Sequence, residues 1–163
     1  MTIIKNVWVR RIVITVLVFS FIWFVLPLFF NKEVNESREA ITSQSTPLTA
    51  KAGDDTGETT NQPTERSGTF SGVAGHQAGG QATLISSTAG NFIRLEDNFS
   101  VTSGPDLYLY VGDGSDKTRE IAKLKGNKGG QNYQLPSELD IESFSSVWIY
   151  CKAFSVNFAK AEL

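Results

Sequence analysis

The sequence predicts an all-β distal domain, a small β-sandwich or barrel-like fold, on a single N-terminal transmembrane helix and a disordered tether. Three observations predict it. Residues 12–30 carry no charge. Residues 31–67 hold few large apolar side chains and are rich in Thr, Ser, Glu, Gly, Asp and Gln. From Gly68 to Leu163, turn signals recur at short intervals, and short runs of aromatic and β-branched residues lie between them.

The first element is the anchor, within residues 1–30. The uncharged run Ile12–Phe30 has 19 residues. As a helix it measures about 28 Å, close to the roughly 30 Å hydrocarbon core of a bilayer. Thr15 and Ser20 are tolerated there because a hydroxyl bonds to the preceding turn. Lys5, Arg10 and Arg11 flank its start, while Glu33, Glu36 and Glu39 follow its end. That bias places the N-terminus in the cytoplasm and the remainder outside the membrane. The run is longer than a signal-peptide core, and bulky Leu28–Phe29–Phe30–Asn31 replaces the small residues of a cleavage site. The expected partner of residues 12–30 is therefore the lipid bilayer.

Residues 31–67 follow as a flexible polar linker. Their composition buries too little surface to offset the entropy of ordering. A flexible chain of this length spans roughly 30–35 Å. A short helix around Lys32–Ala40 is a variant of this reading.

Residues 68–163 suffice for one hydrophobic core. The net charge of the whole chain is -2, and Lys and Arg are scattered among acids. A nucleic-acid partner is thus excluded. Strands are expected at Gly68–Val73, Gln81–Ser86, Asn91–Glu96, Asp106–Val111, Ser146–Tyr150 and Phe154–Ala159, with an edge strand around Ile121–Leu124. In Asp106–Val111, Leu107, Leu109 and Val111 share one face, and Tyr108 and Tyr110 share the other. Two rings on that second face imply that it too is partly covered. Gly112–Asp113–Gly114–Ser115–Asp116 reads as a hairpin connection, since it lacks the twelve-residue pattern of a calcium loop.

The chemistry centres on two unique residues. Cys151 is the only cysteine and His76 the only histidine. Cys151 cannot bridge within its own chain, so it is either a small buried hydrophobe or a reactive, ligating group. It shares a strand face with Val147 and Ile149, and a turn or bulge near Lys152–Ala153 must reset the phase before Phe154. His76 lies in the glycine-rich loop Gly75–Gly80 and is either a loop-satisfying group or a partner for the thiol. A dithiol cycle within the chain is excluded by the absence of a second cysteine. No Ser–His–Asp order, phosphate loop or paired-acid signature is present, so whether the chain is an enzyme stays open.

Markers spread over the distal domain go further. They are Gly68–Thr69–Phe70, His76, Gly80–Gln81–Ala82–Thr83–Leu84 and Leu95–Glu96–Asp97–Asn98–Phe99. Gly104–Pro105–Asp106–Leu107–Tyr108–Leu109–Tyr110, Leu124–Lys125–Gly126 and Gly130–Gln131–Asn132–Tyr133–Gln134–Leu135–Pro136 continue them, and the run from Val147 to Leu163 ends them. In this order they resemble the DM13 family, extracytoplasmic domains proposed for electron transfer. The resemblance implies that Cys151, within Trp148-x-x-Cys151-x-x-Phe154, and His76 are the family's typical cysteine and histidine. It also implies a redox role for the thiol, by exchange with a redox or envelope protein partner or by ligating a one-electron cofactor.

The sequence names no cofactor: non-covalent haem, with Cys151 or His76 as axial ligand, and a metal are the two alternatives, and neither has a complete motif. Zinc lacks two ligands unless Asp97, Asp106 or Asp140 contributes. The expected function is a membrane-tethered extracytoplasmic redox or electron-transfer-related domain. The alternative is a non-catalytic cell-surface binding or interaction β-module that uses Tyr108, Tyr110, Tyr133 and Tyr150.

Overall fold

A computed structural model describes residues 7–25, 31–42 and 64–163. Helix α1 (Val7–Val25) covers the first part of the expected apolar span; residues 26–30 lie outside the described residues. The Thr15 hydroxyl donates to the Arg11 carbonyl at 2.9 Å, one turn back. From Val7 to Trp23 every residue is exposed, Trp8 and Phe19 among them. No helix among the described residues is long and apolar enough to cross a membrane.

The segment expected to be a flexible linker begins differently. Residues 31–42 lie on the domain as a strap that ends in the single turn α2 (Glu39–Thr42). Val34 and Glu36 donate backbone N–H groups to the carbonyls of Lys128 and Gly130, each at 2.9 Å. Ile41 is buried against Ile85 and Phe92. Composition alone misses this because, apart from Ile41, the strap is held through polar groups and backbone hydrogen bonds. Residues 43–63 lie outside the described residues.

The domain contains β1 (Thr64–Gly72), β2 (Ala78–Gly79), β3 (Gln81–Ser87), β4 (Gly90–Leu95), β5 (Ser100–Val101), β6 (Leu107–Gly112), β7 (Lys117–Lys123), β8 (Gln131–Gln134), β9 (Ser146–Cys151) and β10 (Val156–Glu162). Eight strands form one antiparallel sheet in the order β7-β6-β9-β10-β1-β3-β4-β8, and β2 pairs with β5. The sheet curls into a nearly closed barrel. The expected all-β class holds, and of its two variants the barrel-like one is found.

Strand β1 makes the bend. Thr64–Thr69 pair with β3, whereas Phe70–Gly72 pair with β10. At that bend a Cβ on Gly68 would lie 1.6 Å from the Glu162 carbonyl oxygen, so only glycine lets the strands meet. The inner face carries Ala82, Leu84, Ile93, Leu95, Leu109, Val111, Val147, Ile149 and Cys151 in one core cluster. Such burial stabilises by about 25 cal/mol per Å² of apolar surface removed from water.

The edge strands β7 and β8 flank the seam. Ala122 of β7, Tyr133 of β8 and the strap's Glu36, Ala40 and Ile41 line one cleft there. The Lys125 ammonium spans it, donating to Glu36 Oε1 at 2.8 Å and to the Asn132 carbonyl at 2.7 Å. The strap therefore covers the gap where the barrel does not close.

Candidate functional site

Cys151 ends β9, and its neighbours follow from the register. It stands opposite Leu107 of β6 and Val156 of β10. Val147, Ile149 and Cys151 face the core together, the phase expected from the sequence. The residue is free and 0% exposed. Strand β9 is central, with β6 and β10 on its two sides, so the inward sulfur is enclosed by the barrel.

The phase then resets as expected, with a turn at Lys152–Ser155 and a bulge beyond it. Ser155 has φ +54°, an uncommon conformation for a residue with a Cβ. The register shifts between Asn157 and Ala159, so Phe158 and Ala159 both enter the core. Phe154 differs from expectation. Strand β10 starts only at Val156, which leaves Phe154 in the turn and 59% exposed.

His76 closes a tight turn. Its N–H donates to the Val73 carbonyl at 3.0 Å, and the Val73 N–H donates to the Phe158 carbonyl at 2.9 Å. Ala74 and Gly75 have φ +52° and +82°. This turn lays the His76 ring flat on the Phe158 ring, with centroids 3.5 Å apart and planes at 14°. The ring stays half-exposed.

The structure thus brings His76 onto Phe158, and places Phe158 in the same core cluster as Cys151. Among the described residues, no hydrogen bond joins the two expected site residues. The carboxylates weighed as metal ligands do not gather there either. Asp97 pairs with Arg94 at 2.6 Å and Asp106 with Lys123 at 2.8 Å, while Asp140 caps the short turn at Ile141–Ser143.

These positions limit the chemistry. Thiol exchange needs an attacking group at the sulfur, and packed side chains surround it. A haem needs an apolar slot beside its ligand, whereas the space around Cys151 is filled by core residues. No three of His, Cys, Asp and Glu converge to hold a metal ion among the described residues. The residues present therefore do not fit haem at Cys151 or a structural zinc site. A cleft of about 210 Å³ near Leu107 is lined by Lys32, Ser103, Gly104 and Lys123 among others, and by neither Cys151 nor His76.

Sequence reasoning missed how the outer face of β6 and β9 is covered. Tyr108 stands opposite Tyr150, and Tyr110 opposite Trp148. Lysines lie over these rings. Lys152 Nζ is 3.7 Å from the Tyr108 centroid, Lys117 4.2 Å from that of Tyr150 and Lys160 5.0 Å from that of Trp148. The Tyr110 hydroxyl instead donates to Glu120 Oε2 at 2.7 Å. Burial, and then that bond to a carboxylate, push the Tyr110 phenol up to about 12. Hydrogen bonds from Lys152 and Tyr110 hold the Glu120 carboxyl below its ordinary value. The alternation Tyr-x-Tyr and Trp-x-Tyr was legible, but the lysines come from other strands and turns, out of reach of local patterns.

No curated protein and no solved structure gives a match to the chain. A family model described as Electron transfer DM13 matches residues 69–163, more than half of the chain, and every strand from β2 to β10 lies within that stretch, so this protein belongs to the DM13 family.

Proposed function

We propose that this protein is a membrane-tethered, extracytoplasmic electron-transfer domain in which Cys151 is the redox group. The observation that carries the reading is the family match over the whole barrel apart from the start of β1. The uncharged run at residues 12–30 and the basic residues before it support an anchor with the domain outside. The all-round apolar exposure of α1 supports it as well, because such a helix finds its partner in lipid or in another protein.

The enclosure of the sulfur shapes the mechanism. An electron passes through packed side chains, whereas a nucleophile must touch its target. One-electron oxidation of the thiol also releases a proton, and since the Cys151 sulfur has no hydrogen-bond partner among the described residues, that proton passes to water when the fold opens locally. Exchange with a partner thiol likewise requires local opening, and the adjoining Lys152–Ser155 turn, with Phe154 in solvent, is the segment we assign to it.

Voltammetry of the chain in detergent tests the reading. The wild type exchanges electrons reversibly, and Cys151→Ala loses that signal while keeping its fold. Equal signals from the two proteins overturn the reading. They favour the second one, a non-catalytic binding module, which draws on the complete burial of Cys151. In that case Cys151→Ala costs only packing, on the order of 1–3 kcal/mol.

A further inference from the structure

A sealed sulfur leaves open which group meets an electron partner at the surface. The aromatic residues of the barrel give an answer, because their surroundings differ in charge. Removing an electron from a ring leaves positive charge behind, and a cation held over that ring opposes the change. Tyr108 lies under Lys152 and Lys123, Tyr150 under Lys117, Tyr133 under Lys125, and Trp148 under Lys160. Among the described residues, Tyr110 is the one tyrosine with no lysine or arginine over its ring.

Its hydroxyl meets the opposite charge. The 2.7 Å bond to Glu120 Oε2 supplies a proton acceptor in place. The Lys152 ammonium, 2.7 Å from the same oxygen, fixes that carboxylate. Glu120 is 39% exposed at its side chain, so the group is open to a partner. Along the same outer face, the Tyr110 ring meets the Tyr150 ring edge-on, with centroids 5.6 Å apart. Tyr150 directly precedes Cys151 in β9.

We propose that Tyr110 is a second redox group of this domain, the surface station for electrons, with Glu120 as its proton acceptor. In the step, the Tyr110 phenol gives one electron to an outside one-electron oxidant. The O–H bond breaks, and the proton moves to Glu120 Oε2. The products are a neutral tyrosyl radical, a protonated Glu120 and the oxidant reduced by one electron. Return of the electron moves the proton back. Losing an electron makes a phenol a strong acid, so a carboxylate suffices as its base. The proposal rests on the electron-transfer reading, and a different variant tests it.

The probe is flash-generated ruthenium(III) tris-bipyridine, acting on the full chain in detergent, with the radical followed by absorbance and electron paramagnetic resonance. In the wild type the radical forms on Tyr110, with a slower rate in deuterated water. Tyr110→Phe keeps the ring and lowers radical yield at least about fivefold. Glu120→Gln keeps the shape and slows oxidation about a hundredfold, the modest end for loss of a positioned base because water competes. It also changes the isotope effect, because the proton then goes to water, whereas a merely structural contact would leave it alone.

Unchanged yield in Tyr110→Phe overturns the proposal. Unchanged rate and isotope effect in Glu120→Gln overturn the part assigned to Glu120. Cys151→Ala reports separately on the parent reading, so the two failures are distinguishable.

Discussion

At the scale of single residues, charge placement decides how the strap is held. Arg94 is 2% exposed and fully engaged. It donates to Glu96 at 2.9 Å, to Asp97 at 2.6 Å, to Asn132 Oδ1 at 2.8 Å and to the strap's Glu36 carbonyl at 2.9 Å. Its guanidinium thus ties β4 and β8 to the strap, as a lysine's point charge could not. Glu36 returns the contact. Burial raises its carboxyl, but the Lys125 ammonium, the Asn132 N–H and the Arg94 charge together outweigh that and hold it below its ordinary value of 4.5. A carboxyl lowered by folding stabilises in full above its unfolded value. As pH falls from about 4.5 through the folded value, the unfolded chain takes up the proton first, and that stability is lost. Glu120 and Asp113 are lowered too, so the contribution of Glu36 is a difference between two curves. Glu36→Gln should melt lower than the wild type at pH 7, and the gap should narrow towards pH 3. Parallel melting curves across that range would remove Glu36 from the acid response.

At the scale of elements, the strands were legible wherever one face is apolar. Leu107, Leu109 and Val111 announced β6, and Val147, Ile149 and Cys151 announced β9. Strand β8 was hidden because Gln131 and Tyr133, its inward residues, bond to each other at 2.7 Å and carry little hydrophobic signal. The outer face of β3 and β4 is not legible in the sequence for another reason. Thr83, Ile85, Phe92 and Arg94 are all buried there, against the strap or under it. The glycines nearby are readable only once the strap is seen. A Cβ on Gly126 would lie 2.4 Å from the Lys32 carbonyl oxygen and 2.7 Å from Val34 Cγ2, both strap atoms. Its backbone is ordinary, with no positive φ. Gly126→Ala should therefore destabilise the full chain by about 1–3 kcal/mol, the usual cost of overpacking. In a chain starting at residue 43, the same substitution should be nearly neutral, although that chain starts less stable. Urea unfolding of the four proteins measures this coupling. An equal cost in both backgrounds would place the clash elsewhere. For the site, Cys151 and its facing were readable from period two, while its enclosure depends on Leu107, distant in sequence, on Val156 across the turn, and on Phe158, displaced by a bulge.

At the scale of the whole molecule, the strap bears on the proposed anchor, because it limits how far the barrel can stand from α1. A free 37-residue linker would let the domain wander roughly 30–35 Å from the bilayer. The Asn31 side chain instead accepts from Asn127 Nδ2 and from the Ser103 hydroxyl, each at 2.8 Å. Helix α1 ends at Val25, so six Cα steps join them, a reach of at most about 20 Å even when fully extended. On the proposed reading, with α1 in the bilayer, the end of the barrel near Asn31 and Lys128 would face the lipid. Strand β3 leads away from that end. It starts at Gln81, whose N–H donates to Asn98 Oδ1, and runs to Ser87, about 20 Å further on. Probes at Lys128→Cys and Thr88→Cys should therefore differ in depth. Both positions are exposed, and native Cys151 is enclosed and takes no label. In nanodiscs, a headgroup nitroxide should quench the Lys128 probe strongly and the Thr88 probe weakly. Equal quenching would mean that the strap does not hold the barrel in place. Resistance of the full chain to alkaline carbonate extraction checks the anchor itself, independently of the strap. On the proposed membrane-tethered reading, the same short connection would leave the side and the distal end of the barrel as the approaches for an electron partner. Tyr110 and Glu120, on the outer face of β6 and β7, lie on the barrel wall and stay open to a partner approaching from the side.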